Sequence, residues 1–191
     1  MMQRKSYLTV AQCNKYLHGS PLAGLGKVFL EAEEKWKTPA DLMMALCQQE
    51  SNLGRGGWCK PPYNNCTSWG VHDSGPTSEA KFASFTDCIL KTAGYLKSRF
   101  LNPKNWRWQR AMDNGFDPLT LEGVGSVYAS DHKWADGINA IRLEILETMP
   151  EEILVKQSLV ERYRLVEPLD WDAPMTMLRY AWMCSKEVHK A

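Results

Sequence analysis

The sequence contains no apolar run approaching the roughly 18 residues that a membrane-spanning helix needs. Its opening residues, Met-Met-Gln-Arg-Lys-Ser-Tyr, carry no hydrophobic segment of the signal-peptide kind. The chain is therefore expected to be made in the cytoplasm without an export signal, and to reach any substrate outside by another route. Net charge is also nearly absent: 23 Lys and Arg stand against 22 Asp and Glu, a formal +1. No global field draws the protein to nucleic acid or to a membrane surface. No CxxC or HxxxH pairing completes a zinc-ligand set, so neither a metal nor another cofactor is expected. Internal repeats and low-complexity tracts are missing. What is present is an ordinary globular composition, 44% hydrophobic and 24% charged over 191 residues, which fits one domain or one domain with a short appendage.

The six cysteines (Cys13, Cys47, Cys59, Cys66, Cys88 and Cys184) are scattered rather than spaced as a framework, and most read as reduced core residues. Cys59 and Cys66 differ, because they bracket a Pro-Pro-Tyr-Asn-Asn loop that a local disulfide could close. Charge is uneven along the chain. Lys81, Lys91, Lys97, Arg99, Lys104, Arg107 and Arg110 are opposed only by Asp87 across positions 81–110, and the stretch from there to Pro150 is acidic.

The chain is organised around Thr38-Pro-Ala-Asp-Leu-Met-Met-Ala-Leu-Cys-Gln-Gln-Glu50. Thr38 is placed to cap a helix, Pro39 suits a first helical position, and Asp41 faces the positive end of the dipole. Gly54, Gly56 and Gly57 end the helix. At helical spacing Leu42, Met43, Leu46 and Cys47 share one side, and Glu50 projects between Met43 and Leu46. A carboxyl group in the last turn of an apolar stripe is disfavoured as an anion by desolvation and by the dipole, which suits a proton donor near neutral pH. The alternative is a solvated glutamate at a helix end.

Flanking segments read as helices around this one. Thr9 caps a short helix to Leu17, and a second runs from about Leu22 to Trp36 with Leu22, Leu25, Phe29, Ala32 and Trp36 inward and Glu31, Glu33, Glu34 and Lys35 mostly elsewhere. Residues 51–83 are rich in Gly, Pro, Asn, Ser and Thr and read as a long loop with a small hairpin, a kind of segment that usually carries function. Helices resume at Ser84, where Ser84-Phe-Thr-Asp87 makes an acidic capping box. Others are expected over Asn105–Asn114, Thr120–Ala129 and from Ser130 or Asp131 to Thr148. Two further helical stretches, about 151–164 and 174–189, follow Pro150. The expectation is a mainly α domain over 1–149, with an irregular lobe inserted after Glu50, and a C-terminal helical extension over 150–191.

Five pieces of the sequence, in this order, resemble a known family. They are Ser20-Pro-Leu-Ala-Gly-Leu-Gly-Lys-Val-Phe-Leu-Glu-Ala, then Leu46-Cys-Gln-Gln-Glu50-Ser-Asn-Leu-Gly, then Asn64-Asn65 with Trp69-Gly-Val, then Phe82-Ala-Ser-Phe, then Tyr128-Ala-Ser-Asp-His-Lys-Trp134-Ala. The series is similar to the family-73 glycoside hydrolases, endo-β-N-acetylglucosaminidases of bacterial cell-wall turnover and of phage tails and lysins, over about residues 7–146. The resemblance implies a lysozyme-like helical domain with a small lobe forming a glycan cleft. It also implies cleavage of a β-1,4 bond in peptidoglycan. By position Glu50 corresponds to the general acid and Tyr128 to a substrate-orienting tyrosine, with a core tyrosine as the alternative. Asn65, Trp69 and Trp134 would line the groove, although both tryptophans also suit a core. For a second carboxylate the lobe offers Glu79, which is favoured, and Asp73, which also suits a turn beside Gly75. The partners implied are peptidoglycan glycan strands, with phage tail or virion proteins reached through the extension. Action on the wall after release by a lysis system, or from a virion, follows from the same resemblance.

Other readings remain at this level. A lytic transglycosylase needs one acid on such a helix and forms an anhydro-sugar instead of adding water. A silent lysozyme-like domain would serve as a structural or glycan-binding part of a phage particle, against which intact Glu50 and Tyr128 argue. The basic stretch with Trp106 and Trp108 would suit a nucleic-acid surface, but most such runs are solvated helix faces.

Overall fold

The structure, a computed structural model, describes residues 5–147; the expected helical extension, with Cys184 and the apolar set Met177, Leu178, Ala181 and Trp182, lies outside the described residues. Seven α-helices occur among the described residues: α1 (Val10–Leu17), α2 (Gly26–Trp36), α3 (Ala40–Ser51), α4 (Phe85–Tyr95), α5 (Trp106–Asp113), α6 (Leu121–Tyr128) and α7 (Trp134–Glu147). Between α3 and α4 lies the irregular lobe. It contains a two-stranded antiparallel hairpin of β1 (Val71–His72) and β2 (Gly75–Pro76), with Val71 opposite Pro76 and His72 opposite Gly75. The fold is mainly α, as the sequence implies, and the lobe falls where the polar loop was expected.

Helix α3 is the centre of the body, packed against α7 and α2. Every residue from Ala40 to Cys47 is buried, so the one-sided stripe expected there is instead a helix enclosed all round. Leu42, Met43, Met44 and Leu46 each contribute roughly 1.5–3 kcal/mol by leaving water. That burial offsets the cost of carrying Glu50 out of water at the same helix's end.

The start of α3 also differs from expectation. Thr38 does not cap it: the Thr38 hydroxyl donates to the Ala93 carbonyl at 3.2 Å. The Ala40 N–H is accepted instead by Glu33 Oε2, from α2, at 2.8 Å. The Glu33 carboxylate further accepts from the Ser6 N–H and hydroxyl, so Glu33 is buried rather than on the solvent face. A charged acceptor from a neighbouring helix does what the local threonine was expected to do. Asp41 is likewise tied inward, accepting from Arg142 Nε of α7 at 2.8 Å, with side chains 0% and 7% exposed.

Elsewhere the Thr9 cap forms as read and the Ser84 box forms in part. Thr9 and Gln12 form a reciprocal capping box on α1. Ser84 accepts from the Asp87 N–H at 3.1 Å, while Asp87 reaches back to the Ala83 N–H at 3.0 Å rather than to Ser84 itself. Asn105 and Thr120, expected only as the first residues of helices, prove to be the caps of α5 and α6. Two helices start later than expected. Residues 20–25 form turns before α2, with Leu22 still fully buried. The Asp131 side chain accepts the Lys133 N–H at 2.9 Å, a local turn that delays α7 to Trp134.

Cys59 and Cys66 are not joined. Both are free and buried, as are Cys13, Cys47 and Cys88. The Cys59 thiol donates to the Asn65 carbonyl at 3.2 Å. Cys66 sits between two other sulfurs, 3.7 Å from Cys47 Sγ and 3.6 Å from Cys88 Sγ. The loop that suggested a crosslink is held by backbone bonds instead, including Asn65 N–H to Trp58 carbonyl at 2.9 Å.

Candidate active site

Glu50 lies in the last turn of α3, and the chain turns sharply just beyond it. Asn52 and Leu53 adopt left-handed backbone (φ 50° and 52°) and Gly54 follows at φ 88°. Ser51 fastens this corner to the lobe: its hydroxyl bonds the Cys66 carbonyl at 2.8 Å and accepts from the Gly54 N–H at 3.0 Å. The Ser68 hydroxyl donates to the Glu50 carbonyl at 3.4 Å. The carboxyl group is therefore mounted on a buried, multiply tied helix end.

The indole N–H of Trp134, the first residue of α7, donates to Glu50 Oε1 at 2.8 Å. Burial raises the pKa of Glu50 above the usual carboxylate range, and the bonds from Trp134 and Ser68 act against that rise. The result is a half-buried carboxyl group that keeps its proton to higher pH than an exposed glutamate, oriented by one specific donor.

Trp134 is only 4% exposed, so it steadies Glu50 from within rather than lining the groove, a correction to the reading from sequence. Three neighbours fix it. Gln49 Nε2 donates to the Trp134 carbonyl at 3.1 Å. The Tyr128 ring lies 5.2 Å from it, centroid to centroid. Gly125 of α6 gives it room, since a Cβ there would stand 2.9 Å from Trp134 Cε3.

Beside this group is a cavity of about 400 Å³. Trp69, Glu79, Phe100, Arg107 and Tyr128 contribute to its walls, together with Ser68. Glu50 is not itself among the lining residues but is joined to two of them, through the Ser68 hydroxyl and through the Trp134–Tyr128 stack. Tyr128 donates its hydroxyl to the Thr67 carbonyl at 2.7 Å. Its burial holds the phenol well above its usual pKa, so it remains a neutral donor. Trp69 packs against Tyr95 at 4.7 Å and Tyr128 at 6.1 Å.

Glu79 also lines this cavity, but as half of an ion pair. Arg99 donates to Oε2 at 2.7 Å and to Oε1 at 3.2 Å, and the Trp69 indole reaches Oε2 at 3.4 Å. The guanidinium lowers the Glu79 pKa while burial raises that of Glu50, so Glu79 gives up its proton at lower pH than Glu50 does. Asp73 is exposed at the tip of the hairpin, and among the described residues no hydrogen bond ties its side chain to the turn.

Asn65 does not line the groove. It is 1% exposed, and its amide is fully engaged, donating to the Trp69 and Ala80 carbonyls and accepting from the Thr67 N–H and hydroxyl. It props the lobe from below.

The structure thus brings Glu50, Glu79, Tyr128, Trp69 and Trp134 into one region, with Asn65 beneath it and Asp73 at its outer edge. Reading the sequence missed Arg99, Gln49 and Ser68, which set charge and orientation. The basic run 81–110 held the signal for Arg99; nothing local marked the other two. Part of that run is accounted for by contacts: Lys91 pairs with Asp87 at 2.9 Å, and Arg99 with Glu79. No group of three or more potential metal-ligating side chains is assembled among the described residues, and no helix among them is long and apolar enough to cross a membrane.

No protein-family model matches the chain, and no curated protein matches it. Solved structures do. The chain is similar to S. aureus autolysin E in complex with the muropeptide NAM-L-ALA-D-iGLU, at 19% identity and a TM-score of 0.57, covering 76% of this chain and 70% of that one. A catalytic mutant of the same autolysin, with glutamate replaced by alanine and the disaccharide NAG-NAM bound, matches at 20% identity and a TM-score of 0.57, with the same coverage. The autolysin without a named ligand matches at 22% identity and a TM-score of 0.56, over 76% and 69% of the two chains. The chain shares the fold of these proteins.

Proposed function

We propose that the protein is a glycosidase that cleaves the peptidoglycan backbone, with Glu50 as the general acid. One observation carries the reading. A half-buried carboxyl group at the end of the central helix, with its pKa raised and an indole N–H at 2.8 Å, stands beside an aromatic-walled cavity holding an ionised carboxylate. Two carboxyl groups driven apart in pKa are what glycosidic cleavage uses. The shared fold supports the substrate class, because the similar autolysin structures hold peptidoglycan fragments, and so does the family-73 resemblance over residues 7–146.

In this reading Glu50 protonates the departing glycosidic oxygen as the bond stretches. Positive charge then develops at the sugar, and the Glu79 carboxylate lowers its energy from across the cavity. Tyr128, part-exposed in the cavity wall, offers its ring to a sugar, Trp69 backs that wall from a nearly buried position, and Trp134 keeps Glu50 aimed. The bond assigned is the β-1,4 linkage on the reducing side of N-acetylglucosamine. The site of action is the cell wall, and assignment to a phage lysin or virion enzyme rests on the resemblance alone.

The Glu79–Arg99 pair favours a second reading of the chemistry. A carboxylate clamped by two guanidinium bonds is a weak base, which leaves room for the substrate's own acetamido oxygen to attack, or for release of an anhydro-sugar as in lytic transglycosylases. Digestion of purified peptidoglycan with mass analysis of the new sugar ends separates these. Reducing N-acetylglucosamine ends support the assignment, and ends lighter by one water identify a transglycosylase. Reducing N-acetylmuramic acid ends identify a muramidase. Intact strands overturn the glycosidase reading.

A further inference from the structure

Arg107 is a cationic group of the cavity wall that the proposed chemistry leaves without work. It lies on α5, whose only buried residue is Ala111, and α5 presents its neighbour Trp106 62% exposed to solvent. The guanidinium stacks over the Trp106 ring at 4.4 Å and over Phe100 at 5.5 Å. These ring contacts steady the cation, and among the described residues its N–H groups make no hydrogen bond to a carboxylate.

No carboxylate among the described residues pairs with Arg107. The nearest candidate in the same wall, Glu79, is occupied by Arg99 through both of its oxygens. The positive charge is also disfavoured where it stands: burial lowers the Arg107 pKa first, the like charge of Arg99 lowers it further, and Glu79 only partly opposes them. A half-buried cation beside a second cation, without an acid of its own, is an arrangement that a bound anion relieves.

We infer that Arg107 is a specificity residue that binds a carboxylate carried by the glycan strand, so the cavity prefers acidic sugar units to neutral ones. This rests on the peptidoglycan reading and extends it to the substituent recognised. N-acetylmuramic acid differs from N-acetylglucosamine by a lactyl ether. That ether ends in a carboxylate on peptide-stripped strands. On peptide-bearing strands it is amide-linked, and the nearest carboxylate belongs to the stem peptide. Both present the same group to a guanidinium, and a planar fork suits it.

The test measures binding apart from turnover. Full-length protein carrying Glu50→Gln, alone and with Arg107→Gln or Arg107→Lys added, is titrated with three ligands: peptide-bearing muropeptide, peptide-stripped strand fragments, and the same fragments with carboxyl groups converted to neutral amides. Arg107→Gln is expected to weaken binding of acidic fragments by about tenfold to a hundredfold, as for loss of a charge-assisted hydrogen bond. Affinity for the amidated fragments should change less than about threefold, and Arg107→Lys should restore part of the loss. Selective loss on stripped fragments identifies the lactyl carboxylate, and selective loss on muropeptide identifies the stem. Melting curves confirm that each variant is folded. Equal loss on acidic and neutral fragments, or no loss on either, overturns the inference. Arg107-dependent binding of acidic fragments by a wild-type chain that leaves strands intact would sustain it while removing the hydrolase reading.

Discussion

At the scale of single residues, the proposed cleavage depends on one proton. Burial pushes the Glu50 pKa up and the Trp134 indole bond holds it down, so removing the indole N–H should raise it further. In Trp134→Phe the basic limb of the activity–pH profile should therefore move to higher pH while maximal turnover falls by about tenfold, the worth of one bond to an ionisable group. A limb that moves to lower pH in a folded Trp134→Phe protein contradicts this sign. The same logic fixes a stability test. A carboxyl group with a raised folded pKa adds stability that is full below the unfolded value and is lost as pH rises through the folded value. Glu50→Gln, whose amide oxygen can still accept from Trp134, should then melt above wild type at alkaline pH, with the gap closing in acid. The second carboxylate is resolved by three variants on one substrate. Glu79→Gln should cut turnover strongly but less than Glu50→Gln. Asp73→Asn, exposed and without bonds to its turn, should be within about 0.5 kcal/mol of wild type and nearly fully active. Active Glu79→Gln alongside a failing but folded Tyr128→Phe would instead favour attack by the substrate's acetamido oxygen.

At the scale of elements, α3 and α7 form the frame that holds the acid. Two pairs cross their interface: Trp134 to Glu50, and Arg142 to Asp41 at 2.8 Å. Arg142→Met should cost about 3–5 kcal/mol in urea unfolding, because it leaves the Asp41 charge in the core without its guanidinium. Replacing both partners with apolar residues should recover much of that loss. Gly125→Ala is the complementary case. Alanine favours α6 intrinsically by about 1 kcal/mol, but its Cβ meets Trp134 Cε3 at 2.9 Å, so the ring must shift. Activity should fall in Gly125→Ala more than melting temperature does; the reverse order would mean that Trp134 placement is not limiting. Such elements were legible in part. The Thr9 and Ser84 caps are local signals that reach no further than three positions along the chain, and both side chains do accept from the first turn of their helices. The start of α3 was misread because its true acceptor, Glu33, belongs to another helix, and no local pattern announces that. Arg142 did leave a trace, as a charge on the apolar spacing of Ile138 and Ile145, and a buried acid opposite is the usual reason for one.

At the scale of the whole molecule, the order of parts was readable: a helix closing on a glutamate, a polar lobe, then helices behind it. The site's electrostatics were not, because they arise from contacts across the chain, Trp134 with Glu50 and Arg99 with Glu79, which spacing cannot supply. The cysteines make the same point, since proximity in sequence suggested Cys59 with Cys66 while packing placed Cys66 between Cys47 and Cys88. Burial raises the Cys47 thiol, holds the Cys88 thiol well above its usual pKa and pushes Cys13 up to about 12. Native protein should consequently resist alkylation at these positions and react fully once unfolded, as read by intact mass. The proposed cleavage depends above all on Glu50 as the proton donor. Its most direct test is the turnover of purified glycan strands by folded Glu50→Gln protein beside wild type. Glu50→Gln should lose turnover on the order of a thousandfold with glycan binding retained. Turnover within about tenfold of wild type would contradict it.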